Sequence, residues 1–363
     1  MDKIKKLLNR IFIDGLSGMA LGLFSTLIVG TIIQQIGNLI GGNLGETLYL
    51  IGKVAAALTG AGIGCGVAFK LKTSPLVLLS AASAGMIGAF ASKILMGSVL
   101  VSGSLGNLTL NEAILLIGPG EPLGSFVAAY IGIELGNFVS GKTKIDILVT
   151  PLVSILSGSF AGLFIGKPIA AFMTKLGELI NWGTIQQPLL MGIVVSVLMG
   201  IILTLPISSA ALGISLSLSG LAAGAATIGC CCNMVGFAVA SYRENKVSGL
   251  VAQGIGTSML QVPNIVKKPI IWLPAILSSA ILGPIGTLLF HMENNATGSG
   301  MGTAGFVGQI MAWNTMIATD GTTLLLIKIL LIHFILPAII TLSISELMRK
   351  KGLILEGDMK LDL

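Results

Sequence analysis

The sequence predicts an all-α, polytopic integral membrane protein of about eight to ten transmembrane helices with re-entrant segments. Three observations lead there. Hydrophobic residues make up 54% of the 363 and charged residues only 10%, with a mean hydropathy of +0.97, whereas a soluble domain carries about a quarter charged residues. Apolar stretches recur from Ile11 to Ile344 with no polar block long enough to form a separate domain, so one membrane domain is expected. Those stretches do not alternate apolar and polar as barrel strands do. Helices are then the structure that satisfies the backbone inside lipid, each needing about 20 apolar residues. The 49 glycines, with many Ala and Ser, suit helices whose backbones approach closely.

Lys3, Lys5, Lys6 and Arg10 precede the first apolar run in the manner of a signal peptide, but Asp14 interrupts that run and no A-x-A site follows. An uncleaved first span is expected. The spans fall at roughly 11–36, 48–69, 74–101, 113–140, 147–173, 187–205, 269–290 and 322–345. Basic clusters lie between them at Lys70 and Lys72, Lys142 and Lys144, Arg243 and Lys246, Lys267 and Lys268, and Arg349 to Lys351. The positive-inside rule makes these cytoplasmic. The loops at 38–46, 103–112 and 292–300 lack Lys and Arg, as outside loops should. Both termini come out cytoplasmic: a basic amino terminus over 1–10, a membrane domain over 11–346 and a tail over 347–363. The net charge of +6 expresses this loop bias and attraction to anionic headgroups, and gives no reason to invoke nucleic acid.

Two regions fit poorly as simple spans. Residues 206–241 are apolar but rich in Ser, Gly and Cys, and the apolar stretch 250–263 is too short to cross. The second reads as re-entrant or interfacial, and Gly298 to Asn314 reads the same way from the opposite face. Short segments entering from both sides suggest a transport fold with a midplane site. A faint repeat places a basic loop, a proline and then Ser and Gly at Lys70/Pro75/Gly85, Lys142/Pro151/Gly162 and Lys267/Pro274/Gly283. Any helix leaving the cytoplasm can look like this; repeated structure would favour a carrier over a receptor. The cysteines, Cys65 and the adjacent Cys230, Cys231 and Cys232, are placed for neither a disulfide framework nor a C-x-x-C metal site, and no metal or cofactor is expected.

Glu121 is the most informative acid. It follows Gly118-Pro119-Gly120 and precedes Pro122 inside an apolar stretch, where the helix must break. A carboxylate at membrane depth marks a pathway or ligand contact by default, against the alternative of an acid that only braces loose amides. His291, Glu293, Asn294 and Asn295 supply donors and acceptors suited to several hydroxyls of a sugar, or form a solvated loop. Ser208, Ser209, Asn233, Gln253, Gln261, Asn264 and Gln309 are further polar groups in apolar context, each individually more often a helix-to-helix hydrogen bond. Lys53, Lys93, Lys167 and Lys328 are expected to snorkel, and His333 to be a packed neutral histidine. No G-x-x-x-x-G-K-[ST] loop is present, which excludes direct nucleotide-driven pumping by this chain. No soluble region could carry a phosphocysteine or phosphohistidine, so any phosphoryl donor is expected on a partner, and no catalytic residue is expected in this chain.

Four motifs in order carry a resemblance. They are Leu115 to Gly124 around Gly118-Pro119-Gly120-Glu121-Pro122; Ser140-Gly141-Lys142-Thr143-Lys144-Ile145-Asp146 with Thr150-Pro151; Leu205-Pro206-Ile207-Ser208-Ser209-Ala210; and Met292-Glu293-Asn294-Asn295 with Gly300-Met301-Gly302-Thr303. Over roughly residues 10–345 the chain resembles the membrane IIC subunits of the bacterial phosphoenolpyruvate-dependent sugar phosphotransferase system. The resemblance is to the stand-alone branch that includes the perfringolysin regulator-like proteins. It implies a homodimeric inner-membrane permease whose sugar lies between a scaffold and a moving transport half. A separate IIB protein, charged by IIA, would phosphorylate that sugar. In that class a Glu, often with a His, contacts the sugar hydroxyl to be modified, and Glu121 and Glu293, with His291, are the matching positions. The alternatives are a membrane sensor that signals through loops such as Tyr242 to Lys246, and a transporter of a small solute independent of phosphotransfer.

Overall fold

Proline and glycine set most helix boundaries in this chain. A computed structural model describes residues 2–105 and 108–361, which separate into two compact units, Met1–Phe172 and Met173–Leu363. In the first unit, α1 (Lys6–Ile40) ends at Gly41, whose φ of +65° a side chain would resist, and α2 (Gly42–Ala57) begins at once. The outside loop expected at 38–46 is therefore a one-residue turn. α2 and α3 (Thr59–Lys70) form one span bent by 54° at Leu58. α4 (Pro75–Ala89) opens on Pro75 at its first turn, where the missing N–H costs nothing.

The continuous span expected over 74–101 does not form. α4 stops at Phe90, the short α5 (Ala91–Leu95) follows, and the backbone then pairs as an antiparallel hairpin of β1 (Leu100–Leu105) and β2 (Leu108–Ile114). Gly106 and Asn107 of the expected loop lie outside the described residues. α6 (Pro122–Val139) again starts on a proline, and α7 (Asp146–Thr184) runs on past the unit boundary.

Glycines set the spacing in the first unit. A Cβ on Gly18 would sit 2.5 Å from the Gly66 carbonyl oxygen, and Gly22 meets Gly62 in the same way, so α1 and α3 touch backbone to backbone. Outward, Phe160, Phe164 and Ile147 are largely exposed, as lipid-facing side chains are and water-facing ones rarely are.

In the second unit, α8 (Pro188–Thr204) is followed by the short α9 (Ser209–Ser215) and by α10 (Gly220–Ala240). Residues 206–241, unreadable as a simple span, contain this regular 21-residue helix, almost wholly buried. Its Gly, Ala and Cys content is that of a helix surrounded by protein rather than lipid. α11 (Tyr242–Val251) bends at Lys246, φ +53°. A π turn at Ala252–Gly256 and a 3-10 turn at Ser258–Gln261 lead into α12 (Val262–Lys267). α13 (Pro269–Leu288) is a span. α14 (Ala296–Ser299) and left-handed residues at Gly302, Gly305 and Phe306 precede α15 (Val307–Asp320). α16 (Thr322–Lys350) is the last span and outruns the expected limit of 346. α10 sits at the centre, packed by α8, α13 and α16.

Six helices among the described residues are long and apolar enough to cross a membrane, and the bent α2–α3 pair makes a seventh. The expected eight to ten counts α4 and α8 as well, which are apolar but shorter. Lys53 lies over the Tyr49 ring and Lys93 over the Phe90 ring. Lys328 is held by Asp320 at 2.7 Å. The Lys167 side chain lies outside the described residues.

Candidate functional site

In the first unit three interruptions of regular helix lie together. Leu58 breaks α2 from α3, Phe90 breaks α4 from α5, and Gly118 to Glu121 lead into α6. Gly118 and Gly120 have φ of +81° and +73°, which turn the chain sharply onto α6. A Cβ on Gly120 would sit 2.7 Å from Ala89, so only glycine lets the loop dock on the end of α4. The Glu121 N–H donates to the Ala89 carbonyl at 2.8 Å, and Lys93 Nζ donates to the Ile117 carbonyl at 3.2 Å. Ser125 Oγ, one turn into α6, donates to the Gly60 carbonyl at 3.1 Å, beside the break at Leu58. Glu121 is half-buried at the N-terminus of α6, an end where the helix dipole favours an anion. The loop is pinned on both sides, which fixes the carboxylate's origin.

In the second unit the two irregular segments expected from the sequence do meet. The π turn Ala252–Gly256 packs against Ala304–Phe306, and both segments lie along α10. Gly302 approaches so closely that a Cβ there would be 2.9 Å from the Cys230 carbonyl carbon. Thr227 Oγ1 donates to the Gly298 carbonyl at 3.3 Å, and the Cys230 thiol points at the carbonyls of Met199 and Ser299. The cysteine trio is thus packing along this seam.

The residues 291–295 divide sharply. Asn294 is buried; its Nδ2 donates to Thr227 Oγ1 at 2.8 Å and to the Gly308 carbonyl at 2.9 Å, while its Oδ1 accepts from the Asn295 N–H. Asn295 caps α14, its Oδ1 accepting from the Thr297 and Gly298 N–H groups at 3.1 Å each. Glu293 and His291 are exposed. The backbone that carries Glu293 is nonetheless pinned: Met292 is fully buried and its N–H donates to the Gly286 carbonyl, and the Asn294 N–H donates to the Gly220 carbonyl. The carboxylate of Glu293 is therefore exposed on a fixed stretch of backbone.

The other polar positions are tied into the protein. Ser208 caps α9, and Ser209 Oγ donates to the Gly300 carbonyl at 2.7 Å, holding the 298–306 segment. Asn233 is the centre of a buried network: Oδ1 accepts from Trp272 Nε1 at 2.8 Å and from Thr204 Oγ1, and Nδ2 donates to the Gly229 carbonyl and Ser279 Oγ. Gln309 Nε2 contacts Cys231 Sγ and His333 Nδ1 at 3.3 Å, with His333 fully buried in a π turn of α16. Gln253 and Gln261 bond each other at 2.8 Å, and Asn264 bonds Gln261 at 2.9 Å, in a cluster beside the C-terminal tail. Thr204, Ser279 and Trp272 were not legible as partners of Asn233, nor Ser258 as the partner of Thr204, since nothing in their spacing links four segments that meet only on folding.

No cluster of three or more His, Cys, Asp or Glu that could hold a metal exists among the described residues. No curated protein matches the sequence significantly. The sequence profile of the family described as Phosphotransferase system, EIIC matches residues 13–361. With nearly the whole chain under that profile and the apolar helices to match, the protein belongs to the EIIC family and is a multi-pass membrane permease subunit of the sugar phosphotransferase system.

Proposed function

We propose that this chain binds a carbohydrate near the membrane midplane, carries it across a bacterial inner membrane, and presents it for phosphorylation by a separate IIB protein that IIA recharges. The supporting observation is the pair of broken segments that meet along α10 in the second unit, with Glu293, an exposed carboxylate on pinned backbone, near the N-terminal end of that helix. Irregular backbone at membrane depth is tolerated where it is buried in protein or lines a solute path. Glu293 accepts hydrogen bonds from sugar hydroxyls with His291 beside it. Asn294, Asn295, Ser208 and Ser209 hold the segment in place and reach the sugar only through it. Glu121 is the second carboxylate, at the convergence of breaks in the first unit. The working unit is a homodimer with both termini cytoplasmic. The test is accumulation of sugar phosphate by proteoliposomes supplied with IIA, IIB and a panel of sugars. Accumulation that the native chain supports and Glu293→Gln loses carries the reading, and no accumulation of any sugar overturns it. Crosslinking in native membranes that yields only monomer would overturn the dimer.

A further inference from the structure

We propose that the segment after α16, Leu353 to Leu361, is a releasable latch, and that the cleft beneath it is a peptide-binding site on the broken segment Ala252–Lys267. The chain turns back after Lys350 and lies on the second unit. Its main-chain groups, rather than its side chains, meet an array of amides. Gln261 Nε2 and Asn245 Nδ2 both donate to the Met359 carbonyl, at 3.0 and 2.8 Å. Asn264 Nδ2 donates to the Lys360 carbonyl at 2.9 Å, and Asn245 Oδ1 accepts from the Leu361 N–H at 2.8 Å. The array is pre-set: Gln253 Nε2 donates to Ser241 Oγ and the Gly249 carbonyl, and its Oε1 receives Gln261, whose Oε1 in turn receives Asn264.

Two anchors flank this main-chain reading. Met359 is fully buried in an apolar cluster with Phe237, Ile265, Ile271 and Ile354. Asp358 pairs with Lys268 at 2.5 Å. By contrast Leu355, Glu356, Gly357 and Lys360 are exposed. Two apolar side chains, Ile354 and Met359, one acid and a few carbonyls can leave as a unit without unfolding a helix. The ligand class is therefore a short peptide with an acid followed by an unbranched apolar residue and free carbonyls around it.

Gln261 and Asn264 belong to the segment 252–267, a run of single π, 3-10 and α turns, Lys268 follows it directly, and Asn245 reaches in from α11. Docking the tail stiffens that segment, and release loosens it. This inference does not depend on which solute the protein carries, so its failure leaves the permease reading untouched.

Hydrogen exchange on the full-length protein in detergent tests it. In Met359→Asp, peptides covering 252–267 should exchange about tenfold faster or more, the scale set by losing one buried apolar side chain, while α10 and α13 stay protected. A synthetic peptide of residues 353–361 added in trans should restore protection, and the same peptide carrying Asp at the Met359 position should not. Asn245→Ala, which removes two contacts without disturbing the apolar cluster, should show a smaller effect in the same direction and carries the test if Met359→Asp fails to fold. Unchanged exchange over 252–267 with the tail undocked, or no restoration by the native peptide, overturns the proposal.

Discussion

At the scale of single residues, the acids and the buried amides of the polar set do different work. Glu121→Gln keeps size and the backbone contacts to Ala89 but removes the charge. Sugar binding should weaken by about 1.5–3 kcal/mol, the range for a hydrogen bond to a charged group, which is about a tenfold to hundredfold loss of affinity. Equilibrium binding of the transported sugar to the purified variant checks this, and unchanged affinity would make Glu121 a brace. Asn294→Ala is expected to act the other way. It removes the buried hydrogen bonds to Thr227 Oγ1 and the Gly308 carbonyl, a cost of about 1–3 kcal/mol, so thermal unfolding in detergent should shift down before affinity changes. Asp358 is a further case. Burial alone would raise its carboxyl, but the Lys268 hydrogen bond, the Leu355 N–H and the charges of Lys268 and Arg349 hold it below the ordinary 3.8. A depressed carboxyl contributes stability above its unfolded value and loses it as pH falls through the folded one. Exchange protection of the tail should therefore be constant from neutral pH down to 3.8 and weaken only below it.

At the scale of elements, what distinguishes this chain is how often a helix stops inside an apolar stretch. The stops at Leu58, Phe90 and Glu121 gather in one unit, and the irregular runs 252–261 and 296–306 gather in the other. Around them the regular helices touch through glycine. Gly22→Val should push α1 from α3, because the Gly62 carbonyl occupies the space the side chain needs. Overpacking of this kind costs about 1–3 kcal/mol or more. Lowered thermal stability in detergent checks it, and a stability equal to native would show that the contact relaxes freely. α10 illustrates a different limit. Its trio of cysteines and its Asn233 invite a chemical reading from sequence, yet they spend their polar groups on carbonyls, Trp272 and Ser279.

At the scale of the whole molecule, the family and the apolar helices establish a multi-pass permease subunit. The proposed orientation rests on the charge pattern of the loops. Reporter domains fused at either end should both be active only in their cytoplasmic form, since Lys3 to Arg10 and Arg349 to Lys351 flank the first and last spans. A periplasmic signal at one end would require an odd number of crossings.

Composition and hydropathy were sufficient for the membrane class, for most spans and for the irregular backbone of 250–263 and of the first part of 298–314, whose second part is the regular α15, because lipid leaves a helix of known length as the main solution. Gly118 to Pro122 marked a break for the same local reason: glycine and proline act through their own backbone. Which polar residues face a solute and which serve as braces could not be read along the chain. Glu293 and Asn294 are adjacent and similar, and only the arrival of Thr227 and Gly308 from distant positions makes one a bonded strut and leaves the other exposed. The same holds for the tail. Nothing in Asp358-Met359-Lys360 announces a docking segment, because its binding partners are the amides of Asn245, Gln261 and Asn264, brought to it by tertiary packing alone.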